Sequence, residues 1–251
     1  MDRITVAALQ QMKRERRQIV GVVVYDVQMA RIADRAGVDI VSVGDSVGVN
    51  MWGHQSERDV TLEEMLLACR AVRRGVSRAV VSCDLPAAVD DVVAAARLLA
   101  TEGGAGMVKV ETDADTVQAI VGAGIAVWAQ ISGQHAAGSR QPAVGSGQEI
   151  AGLVEAAKAL EAAGASMLDF RHSGPVAGPA VAAAVSIPVI GGLGGGPWLD
   201  GRVRAIVNAI GYTAAALDDH ADRYANVARV ALDAITAYAD DVRGGRQVRG
   251  K

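Results

Sequence analysis

Short runs rich in Val and Ile, broken by turn-forming residues, recur eight times along this chain. They fall at about 20–25, 39–44, 79–83, 106–110, 125–129, 166–170, 187–190 and 203–207. Runs of this length, with Gly, Pro, Asp or Ser nearby, predict buried strands. Between them the apolar spacing changes to three or four. Val89, Val92, Val93, Ala96 and Leu99 share one helical face, as do Ile150, Leu153, Val154, Ala157 and Leu160. A lead-in helix is predicted over 4–17, with Thr5 as its N-cap. A long final helix is predicted over about 219–242, with Val227, Val230, Ala231, Ala234, Ile235 and Tyr238 along its apolar stripe. Strand and helix alternating eight times predict an α/β fold, the (β/α)8 TIM barrel, with an open doubly wound sheet as the alternative. No internal repeat and no linker stands out, so residues 1–251 read as a single barrel domain.

Composition agrees with that architecture. The chain has 251 residues, 51% of them hydrophobic and only 3% aromatic. Ala, Val, Ile and Leu must therefore fill the core, which suits helices packed closely on a sheet. The net charge of -3, with both signs scattered, lacks the basic footprint of a nucleic-acid binder. The basic run at 13–17 is interrupted by Glu15 and reads as a solvated helix end. No signal peptide is visible, and no apolar run reaches the ~18 residues that span a bilayer. A cytoplasmic protein without membrane contact is expected. Cys69 falls in a helical pattern and Cys83 in a strand, so both are expected as buried thiols.

The chemistry is concentrated in three acids. Asp45, Asp84 and Glu111 each follow a strand run, so a parallel sheet brings all three to one rim. Clustered carboxylates need a positive charge between them, and a hard divalent cation suits oxygen ligands. The competing reading of Asp45 and Asp84 is turn-forming acids that cap the next helix. Strand alternation places Val41, Val43 and Asp45 on one face, with Val80, Ser82 and Asp84, and with Met107, Lys109 and Glu111. Lys109 is therefore expected inside the barrel beside Glu111. Asp169 and Arg171, two apart on the sixth strand, are expected to share a face and can pair there; Lys109 is the other available partner for Asp169.

Long stretches of the sequence resemble the ketopantoate hydroxymethyltransferase family. The strongest match is Ala36-Gly-Val-Asp-Ile-Val-Ser-Val-Gly-Asp-Ser46. Ile4-Thr-Val6, Val24-Tyr-Asp26, Val60-Thr-Leu-Glu-Glu-Met65, Arg70-Ala-Val-Arg-Arg-Gly75, Asp84-Leu-Pro86, Val108-Lys-Val-Glu111 and Ser186-Ile-Pro-Val-Ile-Gly191 match as well. Together these cover most of residues 4–211. The resemblance implies a barrel of the phosphoenolpyruvate mutase and isocitrate lyase superfamily, forming homo-oligomers. It implies that Mg2+ holds an α-keto acid, a proton is removed beside the ketone, and the one-carbon unit of methylene-tetrahydrofolate is added. It assigns the metal to Asp45, Asp84 and Glu111, and keto-acid contacts to Tyr25, Ser46 and Lys109. Asp45 and Asp84 then face the substrate as well as the metal.

Two positions depart from the family. Its base, a Glu at the end of the sixth strand, aligns with Arg171, which cannot accept a proton. Its His at the end of the fifth strand aligns with Gln130. Lys109 and Arg171 are accordingly the expected catalytic positions, with Gln130 and Arg171 among the substrate contacts. Arg171 suits a second carboxylate, which makes a lyase or hydrolase acting on an anionic keto acid one alternative. A catalytically silent barrel that binds metal and keto acid is another. Proton removal would pass to His172, to Asp169 one layer deeper, or to a metal-bound hydroxide. His54, His135 and His220 lack zinc spacing, His220 being expected on a solvated helix face. The Gly-rich segment 191–196 reads as a rim turn, Met29 and Met65 as core, and the stretch 136–147 as a mobile loop.

Overall fold

A computed structural model describes residues 3–132, 147–192 and 195–247. Residues 136–146 of the expected mobile loop, His135 and part of the 191–196 turn lie outside these, while Gly147, the last residue of that expected loop, opens a helix. The described residues divide into two compact units, Met1–Arg204 and Ala205–Lys251. Among them no helix is long and apolar enough to cross a membrane.

Eight parallel strands close into a barrel in sequence order. They are β1 (Ile19–Val23), β2 (Ile40–Val43), β3 (Val80–Asp84), β4 (Met107–Val110), β5 (Val127–Ser132), β6 (Met167–Arg171), β7 (Val189–Gly191) and β8 (Gly201–Ala205). Around them run α1 (Val6–Arg14), α2 (Val27–Ala36), α3 (Leu62–Gly75), α4 (Val92–Thr101), α5 (Ala114–Gly122), α6 (Gly147–Ala162) and α7 (Ala177–Ala184). Thr5 caps α1 by accepting from the Ala8 N–H at 3.1 Å. The last strand begins two residues before its predicted start. Register sets that position, since Ile190 pairs with Gly201. Closure also needs a glycine there, because a Cβ on Gly201 would stand 2.1 Å from the Ile19 carbonyl oxygen.

One apolar residue from each strand builds the lower layer of the interior: Ile19, Ile40, Val80, Met107, Trp128, Met167, Ile190 and Val203. Ile4, Leu9 and Met12 pack on this layer from the N-terminal segment. Above it the inward positions turn polar. Ser42 pairs with Ser82, Asp84 with Lys109, and Gln130 with Asp169. The expected face of β2 is therefore corrected: Ile40 and Ser42 point inward, and Val41 and Val43 face the helices. Asp45 reaches the interior nonetheless, because the strand ends at Val43 and a turn at Gly44 breaks the alternation. Cys69 and Cys83 are buried and free, and Met65 is fully buried, while Met29 is only half-buried.

The opposite end of the barrel is held by carboxylates. Asp34, near the end of α2, accepts from the Ser77 N–H at 2.9 Å, the Ser77 hydroxyl at 2.7 Å and the Ala79 N–H at 2.8 Å. Glu161 of α6 does the same before β7, accepting from Ser186 N–H at 2.7 Å and its hydroxyl at 2.6 Å. Burial pushes the Asp34 carboxyl up, but the Ser77, Ala79 and Arg78 donors outweigh it and hold it below the usual carboxylate value. Asp34→Ala is expected to lower the unfolding free energy by about 2 kcal/mol. A lowered native pKa contributes stability above the unfolded value of about 3.9 and loses it as pH falls through the native one. Urea titrations should therefore show the gap between parent and variant at neutral pH, closing as pH falls through the lowered native pKa; a gap that persists in acid would contradict this origin.

The second unit contains α8 (Ile206–Ala209), a 3-10 turn (Ala214–Leu217) and α9 (Val227–Arg243). The final helix, predicted from about 219, starts eight residues later. Asp219 explains the delay: its carboxylate accepts the Ala221 N–H at 3.1 Å, closing a local turn, and grips Arg223 at 2.6 Å. Asn226 then caps α9 by accepting from Arg229 N–H at 2.9 Å. His220 is exposed but lies outside any helix. Of the expected apolar stripe, Val230, Ile235 and Tyr238 are exposed.

Candidate active site

The carboxyl ends of the strands open into a cavity of about 740 Å3 whose wall includes Asp45, Asp84, Lys109, Glu111, Gln130 and Arg171. The structure therefore brings together six of the eight residues assigned from sequence to metal, substrate or catalysis. The other two, Tyr25 and Ser46, are hydrogen-bonded to each other at 2.9 Å (Oη to Oγ) and are not part of the cavity wall. Gly44 connects them to it: a Cβ there would lie 3.0 Å from Ser46 Oγ and 3.8 Å from Asp84 Oδ2. Asn50 donates to Tyr25 Oη at 3.0 Å and to the Ser46 carbonyl at 2.9 Å, which locks the pair. Burial pushes the Tyr25 phenol up, aided by Glu57 and Asp84.

Lys109 is the electrostatic centre. Its Nζ lies 2.9 Å from Asp169 Oδ2 and 3.7 Å from Asp84 Oδ2. It also stands 5.4 Å from the Trp128 ring centroid, a cation–π contact. Burial alone would pull the ammonium down; Asp84 and Asp169 outweigh it and hold Lys109 above the usual lysine value. The partner of Asp169 is thus Lys109, while the Arg171 side chain forms no ion pair or hydrogen bond among the described residues. Lys109 sits between the two aspartates rather than against Glu111, which accepts from Gln130 Nε2 at 2.7 Å. His172 follows Arg171 with a left-handed backbone, φ 54°, turning the chain sharply at the end of β6.

Asp84 is held in a balance of opposing charges. Burial pushes its carboxyl up, Lys109 pulls it down, and the neighbouring Asp45 and Asp169 push it up again, leaving it at about 7. Its Oδ1 is buried without a hydrogen-bond partner, as is Asp169 Oδ1. An oxygen so placed beside a second acid suits a hard divalent cation. Among the described residues, however, no group of three or more His, Cys, Asp or Glu side chains is arranged to hold a metal ion. Asp45, Asp84 and Glu111 share a cavity without forming a three-carboxylate cage. Mg2+ needs no such cage, since one or two carboxylates with waters and substrate oxygens commonly suffice.

Sequence reasoning missed Glu57. It lies in the same wall, in a 3-10 turn (Glu57–Asp59) that follows a π-helical turn (Gly48–Trp52). Ser56 and Asp59 form a capping box around it, with Ser56 N–H donating to Asp59 Oδ2 at 2.9 Å and Arg58 N–H to Ser56 Oγ at 3.1 Å. That Ser-x-x-Asp spacing is the only signal of a fixed turn in an otherwise irregular polar stretch. Nearby, His54 pairs with Glu64 at 3.0 Å.

A sequence model of the ketopantoate hydroxymethyltransferase family matches residues 3–247. The chain belongs to the ketopantoate hydroxymethyltransferase family. The 3-methyl-2-oxobutanoate hydroxymethyltransferase of Prosthecochloris aestuarii is 34% identical, over 98% of this chain and 94% of the relative. That of Gluconacetobacter diazotrophicus is 35% identical, over 97% and 91%. The fold is also that of a phosphonopyruvate hydrolase solved with oxalate and Mg2+, at TM-score 0.63, 16% identity and coverage of 97% and 88%. A 2,3-dimethylmalate lyase of the PEP mutase/isocitrate lyase superfamily aligns at TM-score 0.62, 16% identity and coverage of 95% and 87%. For a ketopantoate hydroxymethyltransferase family member, the two departures read from the sequence both stand in the cavity wall, Arg171 at the end of β6 and Gln130 in β5.

Proposed function

We propose that this barrel is a divalent-metal-dependent enzyme that forms the enolate of an α-keto acid and adds a one-carbon unit to it. The observation carrying this reading is a lysine held charged between buried Asp169 and half-buried Asp84, each with one oxygen that has no hydrogen-bond partner, at the acid-lined end of the barrel. Asp84 and Asp45 would hold the metal, with Glu111 behind them through its bond to Gln130. When bound, the metal supplies Lewis acidity to the ketone and carboxylate oxygens. Lys109 places fixed positive charge where the oxyanion develops. The Tyr25–Ser46–Asn50 network fixes the Ser46 hydroxyl beside Gly44, where it can orient the keto acid. Methylene-tetrahydrofolate as the one-carbon donor rests on the family alone.

A second reading is favoured by Arg171. A guanidinium in the cavity wall without an ion pair among the described residues is suited to a second carboxylate of the substrate. The test is solvent exchange at the carbon beside the ketone, followed by NMR in D2O with Mg2+. Wild-type protein is expected to exchange the C3 proton of α-ketoisovalerate or of a keto acid carrying a second carboxylate. If the latter is the true class, Arg171→Ala should slow its exchange by about tenfold or more, the value of one charge-assisted hydrogen bond. Exchange of α-ketoisovalerate should then change little, and Arg171→Glu should raise it. Metal binding without exchange of any keto acid would leave a silent homologue and end the enzymatic reading.

A further inference from the structure

We propose that Glu57 is the proton acceptor of this barrel, replacing a base at the end of β6. The inference rests on the enolate chemistry proposed above and names the group that performs its first step. The end of β6 carries Arg171, which cannot take a proton. Some other group must, and among the described residues the other acids and the lysine of the wall are committed elsewhere. Lys109 is held as an ammonium by Asp84 and Asp169. Asp84 is paired with Lys109 and, with Asp45, is the fit for the cation. Glu111 accepts from Gln130. Asp169 lies beneath Lys109 and is 2% exposed. Among the described residues the Glu57 carboxylate makes no hydrogen bond and no ion pair, although its backbone carbonyl accepts from Val60 N–H.

Its position and charge suit the role. The capping box fixes Glu57 on the same connecting segment, between β2 and α3, that carries Asp45, so base and metal-side acid share one support. Burial pushes its carboxyl up, Asp45 adds to this, and Arg171 and Lys109 pull it back. The result is a carboxyl held above its ordinary value, the direction that suits a proton acceptor. The residue is itself exposed at the rim, which lets a captured proton exchange with solvent. In the step, the C3–H bond of the keto acid breaks and its proton passes to a Glu57 carboxylate oxygen. The bonding pair becomes the C2–C3 double bond, and the carbonyl π pair moves onto the ketone oxygen, whose charge Lys109 faces. In D2O, Glu57 trades that proton for a deuteron and returns it.

The experiment compares wild type, Glu57→Gln and Glu57→Ala. Deuterium exchange is measured with the keto acids above, and oxalate binding with Mg2+ is measured by calorimetry. Glu57→Gln is expected to slow exchange by about 10²-fold or more while oxalate affinity stays within about threefold. Added acetate or formate should restore exchange to Glu57→Ala and leave wild type unchanged, a rescue that a purely structural role would not give. If wild type exchanges and Glu57→Gln matches it, the assignment of Glu57 fails while the enolate reading stands. If oxalate binding falls with exchange and no carboxylate rescues it, Glu57 is a binding residue and the assignment fails. If wild type exchanges no keto acid, both fail together.

Discussion

Lys109→Met is expected to destabilise the barrel by about 3–5 kcal/mol and to abolish exchange. The methionine keeps the length and the contact with Trp128 but leaves Asp169 and Asp84 facing each other with no cation between them. Asp169 is 2% exposed, so water cannot substitute for the lost ammonium. The loss is thus the cost of an uncompensated buried charge rather than of a packing defect. Two consequences separate these causes. The deficit should be larger at pH 8 than at pH 5, because protonation relieves carboxylates whose native pKa has been raised. The double variant Lys109→Met/Asp169→Asn should also recover most of the stability without recovering exchange. Urea unfolding at both pH values measures this. A single variant within about 1 kcal/mol of the parent would mean that the Asp–Lys–Asp cluster contributes little.

The second large effect concerns Asp84→Asn. With Asp84 the principal cation ligand, the variant is expected to lose Mg2+ binding in calorimetry and at least about 10³-fold in exchange rate. Chelation of the wild-type protein should reproduce the exchange defect reversibly. The metal-free proteins should differ in the opposite sense. In the parent the Asp84 carboxyl sits at about 7, against about 3.9 in an unfolded chain. The native state therefore holds the proton more tightly, and stability declines as pH rises from about 4 to about 7. The amide of the variant does not titrate in this range, so that part of the decline should vanish from a plot of melting temperature against pH. An Asp84→Asn protein that binds Mg2+ within about threefold of wild type would place the metal elsewhere.

The fold was largely legible because burial on both faces leaves few patterns open to a strand. Runs of Val and Ile located all eight, with boundaries off by up to three residues, as at the end of β5, Ser132 where 129 was expected. Errors arose where a local backbone event broke the periodicity. The turn at Gly44 moved Asp45 inward against the alternation of β2, and the Asp219 turn postponed α9. The site was legible in part: Asp84, Lys109, Glu111, Gln130 and Arg171 all fall at the carboxyl ends of strands and all line one cavity. Their pairing was not. The same sequence permitted Asp169 to meet either Arg171 or Lys109, and the fold chose Lys109.

By itself, then, the order of apolar and polar residues determined the barrel, its apolar floor and the identity of most groups at its mouth. Alternation along a strand is a property of that strand alone. Tertiary structure decided which charges meet, because contacts between strands depend on register and on the lengths of side chains reaching across the interior. It also decided that Glu57, in an irregular segment with no period to read, stands in the wall of the cavity. A residue outside any repeating element carries no positional signal until the chain around it has folded.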